Sequence, residues 1–257
     1  MGCAREDSFI VRMYDCRPDG RIKINALMQC LQEAAARHAE QLGVGFRALE
    51  RRGCLWVLVN LRLEVGGTPQ WGDHLIVTTW PSDHERLLAS REFIGRDPDG
   101  REFFRATSDW MILDRNSGRP KNLRRLDLDL PAAGPKVLTT PLARLQPVEA
   151  YDRVGTLRVP FSALDFNGHV NNTEYVRWAL DAAQRRFPDL SEIRSAQVTY
   201  LAEVFEGEEV ELLVSRGDHG PIHACIRKAA PAPGASAFLM EICTVQKSQI
   251  PLAQPPE

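Results

Sequence analysis

Early in the chain the apolar positions step by three and four. Ile24, Leu27, Met28, Leu31, Ala35, His38 and Leu42 fall on one face, which predicts an amphipathic helix. Gly43 and Gly45 then supply its stop. Beyond them the period changes. The runs Cys54 to Val65, His74 to Trp80, Leu87 to Gly95 and Glu102 to Leu113 read as strands, with Asp97-Pro98-Asp99-Gly100 as the turn between the last two. The second half repeats the order. A helix is predicted over Thr173 to Phe187, followed by strands over Ser195 to Ala202, Glu208 to Ser215, His223 to Ala229 and Ala237 to Lys247. The segment Ala230 to Ala235, rich in alanine and proline, joins the last two.

The two halves also superpose as sequence. At a constant offset of 148, Gly20 falls on Gly168, Ile22 on Val170, Met28 on Val176, Glu33 on Asp181 and Ala34 on Ala182. Identity is low, yet the apolar positions match without a gap, as in a duplicated unit. Leu126 to Pro147, rich in proline and leucine, reads as a connector. The expected architecture is α+β, with two tandem halves, each a long helix wrapped by an antiparallel sheet. The halves span residues 1–125 and 148–257, with 126–147 between them. Pairing the two sheets edge to edge would give one continuous sheet and hide strand edges.

Composition narrows the function. With 257 residues and 44% hydrophobic content, the chain can bury one large core or two modest ones. A net charge of −2 and a pI near 6.3 argue against a general nucleic-acid binder. No apolar run reaches the roughly 20 residues of a membrane span, so no membrane insertion is expected. Met1-Gly2-Cys3 has the look of an acylation signal, but position 6 is Glu rather than Ser or Thr. The first residues lack an apolar signal region. The six cysteines show neither a Cys-x-x-Cys pair nor Cys/His metal spacing, and read as reduced thiols of a cytoplasmic protein.

The densest chemistry is Asp165-Phe-Asn167-Gly-His169-Val-Asn171-Asn172, just ahead of the second helix. Asp165 and His169 are four apart, so one turn can bring carboxylate and imidazole to one face, where the carboxylate would fix the tautomer. Gly168 permits a left-handed backbone. Polar groups at a helix start also lie beside free N–H groups suited to a developing oxyanion. Asp, Asn and Gly before a helix are equally ordinary caps and turn formers. His38, on the apolar stripe of the first helix, reads as a core or interface histidine rather than a ligand.

The run Asp165 to Tyr175 resembles that of hotdog-fold thioesterases, and the chain as a whole resembles the fatty acyl-acyl-carrier-protein thioesterases of plants and bacteria. Phe9 to Asp15, Leu27 to Ala35 with Arg37-His38-Ala39, and Trp110 to Arg115 carry the likeness in the first half. The resemblance implies a double hotdog that hydrolyses acyl-carrier-protein thioesters to free fatty acid and needs no cofactor. With no plastid transit segment ahead of it, the expectation is a bacterial-type, cytoplasmic member, monomeric or homodimeric. Asp165, Asn167 and His169 fall on the family's Asp, Asn and His, and Glu203 on its glutamate. Where some accounts of the family place a nucleophilic cysteine, this chain has Val204. A positioned water then serves as nucleophile, with Glu203 as general base, His169 sharing the proton and Asp165 orienting the ring. The first half carries Arg17, Asp19 and Arg21 at the matching positions, so one active site per chain is expected.

Its part, by the same resemblance, is to shape an acyl tunnel, with Met28, Leu31, Trp56 and Leu58 as candidate walls. Plain core is the commoner reading of such a stripe. An acidic carrier protein would dock on basic residues near the mouth. Arg185-Arg186, at the end of the second helix, is the first candidate, with Arg51-Arg52 and Arg124-Arg125 as further doublets. Rival readings are an acyl-CoA thioesterase on the same residues, or a catalytically silent acyl-binding protein.

Overall fold

The computed structural model describes residues 4–126, 128, 134–188, 190, 192–217, 220–230 and 234–245. The first half holds β1 (Arg5–Ile10), α1 (Ile24–Gln41), α2 (Phe46–Glu50), β2 (Cys54–Val65), β3 (His74–His84), β4 (Ala89–Arg96) and β5 (Glu102–Asp114). The second holds β6 (Asp152–Arg158), α3 (Asn172–Arg186), β7 (Ile193–Tyr200), β8 (Glu209–Arg216), β9 (Ile222–Lys228) and β10 (Ser236–Thr244). The periodic elements fall where the pattern predicts them. The strands β1 and β6, the short α2 and the 3-10 turns Met13–Asp15, Leu123–Arg125 and Phe161–Ala163 were not foreseen. Residues 1–3, 127, 129–133, 189, 191, 218–219, 231–233 and 246–257 lie outside the described residues, and with them parts of the predicted connector, the 230–235 link and the end of the last strand.

Among the described residues ten strands form one antiparallel sheet, ordered β1-β3-β4-β5-β2-β7-β10-β9-β8-β6. The seam between halves is β2 against β7, from Asn60 opposite Thr199 to Glu64 opposite Ser195. The expected edge-to-edge joint is therefore real, and its strand edges are used up in pairing. β1 and β6 close the two outer ends.

One face of the sheet curls around both helices. Leu27, Leu31 and Ala34 of α1, Val176 and Ala183 of α3, and Leu63, Val77, Phe93, Ala196 and Val198 of the sheet belong to a single buried core. Truncating a leucine in such packing costs about 2–5 kcal/mol. The helices meet near the start of α3, where Asn172 Nδ2 donates to Gln32 Oε1 at 3.3 Å. The connector runs over the opposite face. Val137 N–H donates to the buried Glu92 carboxylate at 3.2 Å, Trp80 Nε1 to Pro135 O at 2.8 Å and Leu145 N–H to Thr199 Oγ1 at 3.0 Å.

Candidate active site

The Asp165 to Asn172 segment is a tight loop built on backbone hydrogen bonds. Asp165 N–H donates to His169 O at 2.8 Å, and Gly168 N–H to Asp165 O at 3.0 Å. Gly168 sits at φ +79, a left-handed conformation that a side chain resists. The carboxylate of Asp165 turns inward on this loop, and its Oδ1 accepts from the N–H of Asn167 at 2.8 Å and of His169 at 3.4 Å. Its observed task is thus to brace the loop. The predicted bond to the imidazole is replaced by another partner: His169 Nδ1 stands 3.3 Å from Glu203 Oε1.

That pairing bridges 34 positions of sequence, and two clips secure it. Val170 N–H donates to Val204 O at 3.3 Å, and Val204 N–H donates to Tyr175 Oη at 3.0 Å. Tyr175 is buried against Tyr200, Trp178 and Phe238, and burial pushes its phenol well above the ordinary range. Tyr200 Oη donates to Asn172 O at 2.8 Å, which anchors the first turn of α3 to β7. Phe205 lies edge-on to the His169 ring at 5.4 Å. Asn171 caps α3 through Thr173 N–H at 2.9 Å, and its carbonyl accepts from Glu174 N–H.

Asn167 faces the first half. Its Oδ1 accepts from Arg115 Nη2 at 3.0 Å, and the Arg115 guanidinium lies 5.6 Å over the ring of Phe46. Phe46 in turn meets the exposed Phe166 edge-on at 4.7 Å. Here a cavity of about 610 Å³ begins, walled at this end by Asp165, Phe166, Asn167 and Asn172. It runs into the first half between α1, α2 and the strands β2, β4 and β5, and it is mainly apolar in lining. His169 follows Asn167 by two residues on this loop, and neither it nor Glu203 is part of the cavity lining.

Of the four predicted tunnel residues only Trp56 lines the cavity; Met28, Leu31 and Leu58 are buried in the core. The reason is volume. The α1 wall includes Ala35, Ala36 and Ala39 beside Gln32, Arg37 and Glu40, and the small alanine side chains leave the space that Met and Leu fill elsewhere on α1. That alanine run was the available signal. Arg115, Phe46 and Phe166 were also missed, because their meeting joins distant segments. His38 is core, as read: its Nδ1 lies 2.9 Å from Arg91 Nη1, and burial, together with the Arg91 charge, pushes its pKa down to about 4. Arg185 and Arg186 sit in the last turn of α3, about 20 Å along the axis from Asn172 at 1.5 Å per residue. Arg186 is engaged there with Asp152 at 2.8 Å.

No group of three or more His, Cys, Asp or Glu side chains suited to a metal occurs among the described residues. The described cysteines are free thiols, and burial pushes that of Cys30 up to about 11. No helix among the described residues is long and apolar enough to cross a membrane.

Comparison with known proteins agrees with this construction. Residues 3–125 match the acyl-ACP thioesterase N-terminal domain, and residues 148–232 the acyl-ACP thioesterase C-terminal domain. The chain is 24% identical to oleoyl-acyl carrier protein thioesterase 1, chloroplastic, of Arabidopsis thaliana, over 83% of this chain and 64% of that protein. It is 28% identical to the palmitoyl-acyl carrier protein thioesterase, chloroplastic, of the same plant, over 79% of this chain and 52% of that protein. The chain thus spans between half and two thirds of the length of these curated relatives. Its fold matches the crystal structure of an acyl-ACP thioesterase from Bacteroides thetaiotaomicron, with a TM-score of 0.81 and 24% identity over 93% of this chain and 96% of that one. The 12:0-ACP thioesterase from Umbellularia californica gives a TM-score of 0.81 at 22% identity, over 94% and 97%. Two hotdog halves joined in one sheet, with both halves matched by the family's own domains, make this chain a member of the acyl-ACP thioesterase family.

Proposed function

We propose that the protein hydrolyses the thioester of an acyl-carrier protein, releasing free fatty acid and the carrier thiol. The observation that carries this reading is the His169–Glu203 pair at 3.3 Å, on the loop whose Asn167 is part of the wall of an apolar cavity. A thioester carbonyl is electrophilic and its thiolate leaves readily, so water is a sufficient nucleophile. Glu203 takes a proton from that water, while His169 holds the carboxylate in place and shares the proton. With its Oδ1 committed to Arg115, Asn167 presents its amide N–H2 toward the carbonyl oxygen. The N–H groups of Thr173 and Glu174 already serve Asn171, so the oxyanion falls to Asn167 rather than to them. Val204 excludes a cysteine at the position after Glu203. Residues 1–125 contribute the acyl cavity, residues 148–257 the chemistry, and 126–147 the strap between them.

Free thiols at all described cysteines support a reducing, cytoplasmic setting. The test is thiol release from a ladder of saturated acyl chains, C8 to C18, each offered on carrier protein and on CoA. Faster turnover of the carrier-linked series is expected, with an optimum at the chain length the cavity holds. Preference for CoA would keep the chemistry and replace the partner. A folded protein that binds acyl chains and cleaves neither series would overturn the enzymatic reading.

A further inference from the structure

The chain is slightly acidic in total, yet one surface beside the cavity is strongly basic. It is made by two segments that pack on a small apolar cluster of Leu49, Cys54, Ile112 and Leu123. The first runs through α2 to Arg51 and Arg52. The second runs from the end of β5, through Arg115, to Arg124 and Arg125. Arg115 N–H donates to Gly53 O at 2.8 Å and its Nε to Cys54 O at 3.3 Å, which locks the two together. Arg47, Arg51, Arg52, Arg115, Arg124 and Arg125 are all exposed. The carboxylates of these segments are Glu50 and Asp114, and Asp114 is taken by Lys121 at 2.7 Å.

This surface is continuous with the cavity wall. Phe46 and Arg47 of α2 are part of the cavity wall, and Arg115 reaches Asn167 directly. Phe166 stands 78% exposed beside them, an apolar centre within a cationic rim. Arg185 and Arg186 offer no such continuity, being a helix length from Asn172 and in part paired.

We infer that the acidic carrier protein docks here, on α2, the Arg51-Arg52 turn and the Leu123–Arg125 turn, with Phe166 at the centre of the contact. The inference rests on the thioesterase reading above and names the surface through which that site receives its substrate. Exposed charges of this kind contribute little singly, but a one-sign patch steers an acidic partner and fixes its orientation, and salt weakens both effects.

The test uses the double reversals Arg51→Glu/Arg52→Glu and Arg124→Glu/Arg125→Glu, with Arg185→Glu/Arg186→Glu as the comparison. Each is assayed on acyl-carrier protein and on a carrier-free acyl N-acetylcysteamine thioester. Each patch variant should raise KM for the carrier substrate about tenfold, with kcat and the carrier-free rate near wild type. The Arg185/Arg186 variant should stay within about twofold. An unchanged carrier KM in both patch variants, an equal loss on both substrates, or a larger effect at Arg185/Arg186 would overturn the inference. Titration with holo-carrier protein separates the two claims. If wild type cleaves no carrier thioester yet binds the carrier through this patch, docking stands and the hydrolase reading falls. If it binds no carrier, the docking surface is refuted.

Discussion

The loop at residues 17–21 and the loop at residues 165–169 are two copies of one backbone. Arg17 N–H donates to Arg21 O at 2.8 Å, as Asp165 N–H does to His169 O, and Gly20 and Gly168 share φ +79. Each loop is closed by a bridge, Cys16 with Ile22 and Leu164 with Val170. The receiving segments after β2 and β7 match too, since Ile22 N–H donates to Pro69 O as Val170 N–H does to Val204 O. By that correspondence Arg21 and Thr68 occupy the places of His169 and Glu203. On the proposed function, the duplicated fold supplies a scaffold twice and chemistry once. The first half provides Phe46 and Arg47 of α2 and the alanine face of α1, which are part of the cavity wall. The division of labour lies in side chains, because the backbone of both loops is the same.

The largest way to break this comparison is to remove one ring. His169→Ala should lower kcat by about 10²–10⁴-fold, the usual scale of general acid–base assistance. Arg21→Ala, at the same place in the other half, should leave kcat unchanged in the same thiol-release assay. Next come the glycines. Gly20→Ala and Gly168→Ala each force a side chain into left-handed backbone, and each should cost about 1–2 kcal/mol in urea denaturation. Only Gly168→Ala should also reduce kcat, by about 10²-fold, because it displaces Asn167 and His169. Equal activity loss in both would make the halves functionally alike.

Asp165 sharpens the assignment further. Asp165→Asn keeps an oxygen to accept the Asn167 and His169 N–H groups and should retain most activity. Asp165→Ala loses it, and should cost about 0.5–2 kcal/mol of stability. If Asp165→Asn is as damaging as Asp165→Ala, the negative charge acts on the chemistry and bracing is not its main task. The smallest expected effect belongs to His38. Its folded pKa, near 4, lies below the ordinary 6.5 because of burial and the Arg91 and Arg5 charges, against a weaker opposing pull from Asp7. The unfolded chain then takes up a proton first. Stability from this group is present above pH 6.5 and declines as pH falls toward 4, a slope His38→Gln should lack in urea titrations at stepped pH.

Much of this was legible in the chain. Helical and strand periods placed α1, α3 and eight strands, because burial on one face imposes the period directly. The offset of 148 exposed the paired loops, but it fails beyond the helices, where α2 is inserted and the strands differ in length. The correspondence of Pro69 with Val204 therefore appears only in hydrogen bonds. The edge strands β1 and β6 escaped because they bury too little to show an alternating pattern. In the proposed site, Asn167, His169 and Glu203 are named through resemblance, while the inward turn of Asp165 depends on loop geometry that spacing does not encode. Of the candidate tunnel walls only Trp56 lines the cavity, for a physical reason: large apolar residues mark filled space, and Ala35, Ala36 and Ala39 leave it open.

The most direct measurement is kcat and KM of Glu203→Gln on the carrier-linked thioester that wild type prefers. Glutamine keeps the size of the half-exposed Glu203 side chain while removing its basicity. A fall in kcat of about 10²–10⁴-fold with KM near wild type is the expected result for a general base acting on water. A kcat within a few-fold of wild type would contradict it and move the proton transfer to another group.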